Sequence, residues 1–576
     1  MEHFYAHLPK AMAAISLLLW IGCSTSSAQN LEGFWDEITE RIEQKDYLRA
    51  AGSLQAELRV NAIHGLLPRA DAFSLRGQAN LLLDLVGVKI PLAAAFSDGD
   101  LTYRLPAYAF YGASPTYRWM TVHLGDRSMN FSPYTLGGHS FRGIGVELKP
   151  GKFYFAAMSG RLRRARAEDA GAIQDIESAY QRNGWGIKTG FDNGSQKLLL
   201  ILFQAKDNPH TLDLPDTSLL APQENLILGL QGKSRIGNHL SVELDLARSA
   251  FTRDSRSPDA SVAPGSLSMR MLGLYKPKYS SGYHNATKLK VIFTPKAATF
   301  HLIYERIDPG YRTLGALFFN NDQESISVGT QLPLWGKKVN LSANGGLQRN
   351  GLQGGIASTF RRFIGSVDVS AALSSKWQLN AGFSNISNTN RYRLVTIPVI
   401  QVDSIALLQT NLSFQVNTTY LDGPKQNSVF NAVFTWQKAQ VIENEEILSD
   451  QSNVFYMGML SHTLRNAGND WSFGTSVLAH ATQTPDHEQW MLGPALNISK
   501  SLLKEQLRVG ISGAYSLIHV AGKVEGRILD LRSEGTCRIG KRQHIVARAS
   551  GVWSDTGSAS SFFDWNGLLS YRLIFK

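Results

Sequence analysis

The sequence predicts an all-β protein, a large antiparallel transmembrane β-barrel of about 22–26 strands with a short N-terminal helix. Three observations predict it: an N-terminus typical of exported proteins, apolar and polar residues alternating along the chain, and a final strand with aromatic residues on one face. The predicted domains are a signal peptide (residues 1–28), a helical leader in the periplasm or lumen (29–50) and the barrel (51–576).

The N-terminus has the three parts of a secretory signal peptide. A polar start, residues 1–10, precedes the apolar run AMAAISLLLWI, and Ser26-Ser27-Ala28 supplies the small residues of a cleavage site. The apolar run is too short to cross a bilayer as a stable helix. Two processing routes remain open, cleavage after Ala28 and lipid attachment at Cys23, and both predict an exported protein.

Composition limits the partners and the chemistry. The chain has 58 Lys and Arg against 47 Asp and Glu, a net charge of +11. Since an exported protein does not meet nucleic acid, lipopolysaccharide phosphates or anionic solutes are the expected acidic partners. Cleavage would leave Cys537 as the one cysteine, so we expect no internal disulfide and no cysteine-based zinc or iron–sulfur site. The sequence after the N-terminal run contains no apolar stretch long enough for a membrane helix, which excludes a multi-helix transporter.

Strict alternation of apolar and polar residues identifies the strands. It begins at residues 53–62 and is clearest at 240–247, 408–420 and 507–517. Alternate residues of a strand face opposite sides, so each segment has one apolar and one polar face. Sandwich strands average about five or six residues, whereas membrane strands need about nine to eleven. The length of these segments, and the Asn, Gln, Ser, Glu and Arg on their polar faces, favour a membrane barrel over a soluble sandwich.

The segment before the first strand has a different period. Phe34, Ile38 and Ile42 follow helical spacing, which predicts a short amphipathic helix. Three placements stay open for it: the periplasmic rim, the lumen, or a loosely ordered leader.

The last predicted strand carries its apolar residues on one face. These residues are Phe563, Trp565, Leu569, Tyr571, Leu573 and Phe575. A final strand of this kind resembles the signal that the barrel assembly machinery of bacterial outer membranes reads. The candidate signal residues are Tyr571, Leu573 and Phe575, and Lys576 departs from the usual pattern, which ends on the aromatic residue.

Two stretches resemble known proteins. The first, within residues 115–153, contains SPYTLGGHSFRGIGVELKPGKF, and the second reads YERIDPGYRTLG from Tyr304, followed by Asn320-Asn-Asp. They resemble outer-membrane barrel proteins common in Bacteroidota, a porin-like family without an assigned function. The resemblance implies a barrel in the outer membrane and no catalytic or ligand-binding residue.

The sequence leaves two alternatives for what fills the lumen. The glycine-rich first stretch could fold into the lumen and narrow the pore, or form an ordinary hairpin. A barrel of this size leaves a wide hole unless it is filled. We therefore expect either that long loops such as 166–183, 206–223 and 251–266 fold inward, or that a partner occludes the barrel.

We expect no enzyme, cofactor or metal site. His139 precedes Ser140, but Arg142 stands where a nucleophile elbow needs glycine. Asp98-Gly99-Asp100 falls far short of a calcium loop. The candidate contacts to lipopolysaccharide or another anion are four arginines, which could instead form a solvated loop end balanced by nearby acids. They are Arg161, Arg163, Arg164 and Arg166.

The sequence thus predicts a porin-like channel for small polar or anionic solutes in the outer membrane of a Gram-negative bacterium. The alternative is a non-enzymatic scaffold or binding component of a cell-surface export or motility complex, plugged by loops or by a partner. The expected partners are outer-membrane lipid, lipopolysaccharide and the barrel assembly machinery, with a periplasmic or surface protein added in the scaffold alternative. No nucleic acid partner is expected.

Overall fold

The computed structural model describes residues 48–575 except for short gaps. The gaps are 68–70, 86–87, 98–107, 168–177, 213–219, 262–270, 272, 317–318, 355–357, 393–404, 423–427, 444–445, 467–469 and 558–560. The predicted signal peptide, most of the predicted leader and Asp98-Gly99-Asp100 therefore lie outside the described residues. The first strand begins at Leu48, slightly before the predicted barrel boundary.

Almost all regular structure in the described residues is β-strand, with one 3₁₀ turn at Pro209–Thr211. The strands are β1 Leu48–His64, β2 Phe73–Leu85, β3 Val88–Ser97, β4 Tyr108–Ala113, β5 Thr116–Tyr117, β6 Met120–Asn130, β7 Gly137–Leu148, β8 Phe153–Arg163, β9 Gln181–Asp192, β10 Gln196–Asn208, β11 Glu224–Ile236, β12 Leu240–Thr252, β13 Ser281–Phe293, β14 Thr299–Ile307, β15 Gln323–Leu334, β16 Val339–Arg349, β17 Ser358–Ala372, β18 Trp377–Tyr392, β19 Ile405–Asp422, β20 Ser428–Glu443, β21 Glu446–Asn466, β22 Trp471–Gln483, β23 Glu488–Leu502, β24 Leu507–Val520, β25 Lys523–Ile539, β26 Gln543–Thr556 and β27 Phe562–Phe575.

The sheet closes on itself. Apart from β4 and β5, which both pair with β3 and β6, each strand pairs antiparallel with its neighbour in sequence, and β27 pairs antiparallel with β1. Strands β4 and β5 occupy one position between β3 and β6, because Ala113 pairs with Leu92 and Thr116 pairs with Lys89. Pro115 separates the two pieces since it has no N–H to donate to a ladder. The barrel therefore has 26 strands, which confirms the predicted fold class.

The two ends of the barrel differ. The turns at the end that holds Leu48 and Phe575 are short, such as 193–195 and 335–338. The opposite end carries the long connections 253–280 and 308–322. We name these the short-turn end and the long-loop end. In outer-membrane barrels the short turns face the periplasm and the long loops face outward.

The outer face of the barrel is apolar. On β27 the residues from Phe563 to Phe575 that were predicted to share a face do so, and Phe563, Leu569 and Tyr571 are exposed. Such a surface needs lipid around it. None of the described residues forms a helix that is long and apolar enough to cross a bilayer. The chain is a barrel of the outer-membrane type.

Candidate functional site

Two loop segments fold into the lumen near the long-loop end. They are residues 131–137, which join β6 to β7, and residues 308–315, which follow β14. The hydroxyl of Tyr134 donates to the carboxylate of Glu305, and the hydroxyl of Tyr311 donates to the carbonyl of Tyr134 at 2.7 Å. Because β6 and β7 are not neighbours of β14 in the sheet, these bonds cross the inside of the barrel. We call the two segments the lumenal plug.

The two segments of the lumenal plug bind each other through their backbones. Leu136 and Gly315 form a parallel bridge, and the N–H of Gly137 donates to the carbonyl of Gly315 at 3.0 Å. The hydroxyl of Thr313 donates to the carbonyl of Thr135. These segments belong to the two stretches that carry the family resemblance. Within the glycine-rich first stretch, residues 131–137 fold into the lumen, whereas Gly143 and Gly145 lie in strand β7, which forms a hairpin with β6.

The lumenal plug packs on an apolar patch of the inner wall. On β10, Leu198 and Leu200 face outward and are exposed, while Ile201 and Phe203 are buried under the plug. The run LLLILF is thus apolar on both faces, which departs from the polar lumen that alternation predicted. The buried cluster consists of Met129, Phe131, Tyr134, Leu136, Phe141, Ala156, Met158, Leu162, Ile201, Phe203, Ala205, Ile227, Ala247, Phe251, Ala286, Ile307, Tyr311 and Leu314.

Two glycines permit this close packing. A Cβ atom on Gly186 would lie 2.8 Å from the ring of Phe131, and one on Gly315 would lie 2.7 Å from the ring of Phe203. Both distances are shorter than a carbon–carbon contact allows. Glycine at these positions lets the plug lie directly against the wall.

Buried polar groups fix the lumenal plug to the wall. The side chain of Asn225 accepts from the N–H of Leu314 at 3.2 Å and donates to the hydroxyl of Ser249 at 2.8 Å. Ser249 in turn donates to the carbonyl of Arg312 at 2.7 Å, and Lys188 donates to the carbonyl of Phe131. Since a buried polar group is costly when unpaired, each of these bonds specifies one position of the plug.

The two plug tyrosines keep their protons. Burial raises the pKa of Tyr134, and its bond to the Glu305 carboxylate raises that pKa further. Burial also raises the pKa of Tyr311 well above the usual range of a phenol. Both hydroxyls therefore remain hydrogen-bond donors at any physiological pH.

The four predicted anion-contact arginines do not form one surface. Arg161 pairs across strands with Arg142 on the outer face, whereas a β-bulge between Arg161 and Arg163 turns the side chain of Arg163 into the barrel. Arg164 and Arg166 are exposed at the long-loop end. Because the bulge reverses the alternation, Arg161 and Arg163 face opposite sides of the wall. Lipid contact by Arg161, Arg164 and Arg166 stays a prediction.

Arg163 takes part in a buried ion-pair cluster. Asp207 of β10, whose side chain is 1% exposed, accepts from Nε of Arg182 at 2.7 Å and from Nη2 of Arg163 at 3.3 Å. The same carboxylate accepts from the N–H of Gln223 at 3.1 Å, which ties down the loop after β10.

We expect Asp207→Asn to destabilise the barrel more than any other single removal of an ion-pair carboxylate in the wall. It leaves Arg182 and Arg163 without their buried counter-charge, a loss of about 3–5 kcal/mol. The urea concentration at which half of the protein loses the gel mobility of the folded barrel measures this loss of stability. The control is Asp530→Asn, which breaks the more exposed pair with Arg532 and should cost about 1 kcal/mol or less. Equal shifts of the urea midpoint in Asp207→Asn and Asp530→Asn would contradict the larger contribution of the buried cluster.

The described parts of the three long loops that were candidates to fold inward contribute no residue to the lumenal plug. The described part of the loop between β12 and β13 lies on the outer face, where Met271 and Tyr275 are buried against Leu226 and Ala250. Its apolar residues cover apolar wall that would otherwise face lipid or water. The described parts of 166–183 and 206–223 bind each other, with the N–H of Gln181 donating to the hydroxyl of Thr211 at 3.0 Å.

No catalytic pair forms at His139 and Ser140, since the two neighbours point to opposite faces of β7 and His139 is buried. Among the residues that the structure describes, no group of three or more His, Cys, Asp or Glu is arranged to hold a metal ion.

No described residue covers the wall opposite the lumenal plug. On β17 and β18, Ile364 and Ile386 face the lumen and are 45% and 44% exposed. A cavity of about 670 Å³ follows this wall, lined on its lumenal side by Gln331, Asn340, Ser342, Asp368, Ser370, Asn380, Gln415 and Asn417. Amide and hydroxyl groups therefore dominate the lumenal surface here.

Comparison with known proteins finds solved barrel structures that have low sequence identity and low structural similarity to this chain. No protein-family model and no curated protein matches the chain. A chain of the E. coli P pilus tip assembly intermediate PapC-PapD-PapK-PapG matches over 90% of this chain at 9% identity and a TM-score of 0.31. This chain spans only 60% of the length of that pilus-assembly chain.

Two structures from Pseudomonas aeruginosa also match. A mutant of the ferric enterobactin receptor PfeA covers 92% of this chain, with 80% of the receptor covered, at 10% identity and a TM-score of 0.39. The protein OpdL covers 68% of this chain, with 99% of OpdL covered, at 14% identity and a TM-score of 0.32. At these values the matches carry no argument about function, and the fold rests on the strand pairing described above.

Proposed function

We propose that this protein is an outer-membrane channel for small polar solutes, with a preference for anions. The observation that carries the proposal is the side of the lumen that the described residues leave unfilled, where Ile364 and Ile386 are exposed. The lumenal plug occupies the side lined by β6 to β14, and the described residues leave the polar wall of β15 to β20 uncovered. Small solutes would pass between the plug and this wall.

The charge of the closing wall supports the preference for anions. On β24–β27, β1 and β2 the lumen-facing basic residues outnumber the acidic ones. The basic residues are Arg49, Arg59, Arg76, Arg508, Arg532, Arg538, Arg548 and Arg572, and the acidic ones are Glu57, Asp84, Asp530, Glu534 and Asp564. A pore lined by an excess of positive charge concentrates anions and repels cations.

The proposed location is the outer membrane of a Gram-negative bacterium, reached by export with a cleaved signal peptide. The apolar outer face and the arrangement of short turns and long loops support it.

Single-channel recording in a planar bilayer tests the channel, with a salt gradient across the bilayer to measure ion selectivity. We expect stable current steps and a reversal potential of the sign given by anion preference. A refolded barrel that passes no current would contradict the channel and favour the plugged scaffold alternative.

We expect the triple variant Arg59→Gln, Arg76→Gln, Arg572→Gln to lower the anion-to-cation permeability ratio by about two- to threefold, since it removes positive charge from the pore wall. The matched control, Lys438→Gln, Lys500→Gln, Arg527→Gln, removes the same charge from the outer face. It should leave the ratio unchanged. If the permeability ratio falls equally in both variants, the anion preference does not arise from charges on the lumenal wall.

A further inference from the structure

A row of charged residues crosses four adjacent strands on the outer face at the long-loop end. The cross-strand pairs are Arg306 with Glu324, Glu324 with Arg349, and Arg349 with Arg361. All four face outward, because Glu305, next to Arg306, points into the lumen towards Tyr134. We call this the arginine row.

The arginine row is ordered by its own carboxylate. Glu324 accepts from Nε of Arg349 at 2.6 Å and lies 3.5 Å from Nη1 of Arg306. The hydroxyl of Tyr304 donates to the same carboxylate at 2.7 Å. Arg361 is exposed and has no carboxylate within ion-pair distance among the described residues. Glu324 thus positions Arg306 and Arg349. With three arginines and one glutamate, the row keeps a net positive charge.

From Arg306, polar contacts extend beyond the arginine row towards the loop between β12 and β13. Arg306 Nε lies 3.6 Å from Asp308, whose carboxylate also accepts from the side-chain amide of Asn285 at 3.1 Å. Asn285 accepts from Arg248 at 3.4 Å. The polar network therefore runs along the rim from β12 to β17 and includes a fourth arginine.

An exposed apolar row lies directly below, one outward position closer to the short-turn end. Its members pair across the same strands: Tyr304 with Ile326, Ile326 with Leu347, and Leu347 with Phe363. Ile326, Leu347 and Phe363 are 47%, 60% and 41% exposed. A ligand bound here would meet guanidinium groups at one level and hydrocarbon at the next.

We propose that the arginine row and the apolar row together bind a phosphorylated, acylated lipid of the outer leaflet. Guanidinium groups bind phosphate oxygens in pairs, and Arg is better suited than Lys to that geometry. The apolar row would contact the acyl chains of the same molecule, which a free phosphate could not use. The site is independent of the proposed channel, because every residue in it faces away from the lumen.

Three probes separate the two halves of the ligand: diphosphoryl lipid A, its dephosphorylated form and inorganic pyrophosphate. Binding of each to the purified, folded barrel in detergent would be measured by native mass spectrometry. We expect the wild-type barrel to retain lipid A and to bind the other two much more weakly. The double variant Arg349→Gln, Arg361→Gln should lower lipid A affinity by about tenfold, since charge-assisted bonds to phosphate are lost.

The control Lys438→Gln, Lys500→Gln removes equal charge from the outer face of β20 and β23 and should bind lipid A as the wild type does. If the double variant fails to fold, Arg361→Gln alone supplies the same test, since no described carboxylate lies within ion-pair distance of Arg361. Equal binding of lipid A by variant and wild type would overturn the proposal. Pyrophosphate bound as tightly as lipid A would overturn the lipid assignment in favour of a free phosphate ligand.

Discussion

Replacing Tyr134 and Tyr311 together by Ala should raise the single-channel conductance about two- to threefold, since a large barrel leaves a wide lumen once its filling moves. The hydroxyl of Tyr311 makes one of the bonds that join the plug segments, and the hydroxyl of Tyr134 binds the plug to Glu305. Loss of two buried aromatic side chains also removes packing of about 3–5 kcal/mol each. The lumenal plug would then be held only by its remaining bonds to the wall and between its backbones, and we expect it to leave its position more often. Recording in planar bilayers measures the change directly.

Two further measurements make this result specific. The control Tyr456→Ala, Tyr515→Ala removes two tyrosines that are 41% and 38% exposed on the outer face, so it should leave the conductance unchanged. The variant must also migrate as a folded barrel. A folded variant with wild-type conductance would show that the plug does not limit the current, and the narrowest point would then lie elsewhere.

Alternation predicted the wall well because its cause is local. A strand between lipid and water needs apolar residues on one side and polar residues on the other, and β12, β19 and β24 follow this rule over most of their length. The strand number followed from the same pattern.

The lumenal plug could not be predicted from the same pattern. Residues 131–137 and 308–315 are far apart in sequence, and their meeting depends on the closed barrel. One signal was present: the run LLLILF in β10 is apolar on both faces, and an apolar lumenal face needs an apolar partner. The partners, Phe131, Tyr311 and Leu314, carried no mark that separates them from ordinary loop residues, and Asn225 and Lys188 looked like lumen-facing polar residues.

The arginines near residue 163 show a different limit. Proximity in sequence suggested one surface for Arg161, Arg163, Arg164 and Arg166. A single bulge sends Arg163 inward to Asp207, and no sequence feature predicts a bulge at that point. The arginine row, in contrast, unites residues from four strands, so only the register of the sheet brings them together.

Replacing Tyr571, Leu573 and Phe575 by Ala should remove most of the protein from the outer membrane of the cells that make it. The three residues face outward on β27 and pair with Ala56, Leu54 and Gly52 of β1, at the seam where the barrel closes. Each lost apolar contact weakens the folded state by roughly 1.5–3 kcal/mol. We expect a further loss, since we propose that the assembly machinery reads these residues. The amount of folded barrel in isolated outer membranes measures the sum.

A matched variant separates recognition from closure. Phe563→Ala, Trp565→Ala, Leu569→Ala removes apolar residues from the same face of the same strand, but at its other end. Both variants should refold to similar yields in detergent, where no machinery acts. In cells the variant of Tyr571, Leu573 and Phe575 should accumulate severalfold less than its partner. A closing strand needs its apolar face along its whole length, whereas a recognised signal depends on its last few residues. Equal amounts of the two variants in the outer membrane would therefore mean that Tyr571, Leu573 and Phe575 only help to close the barrel.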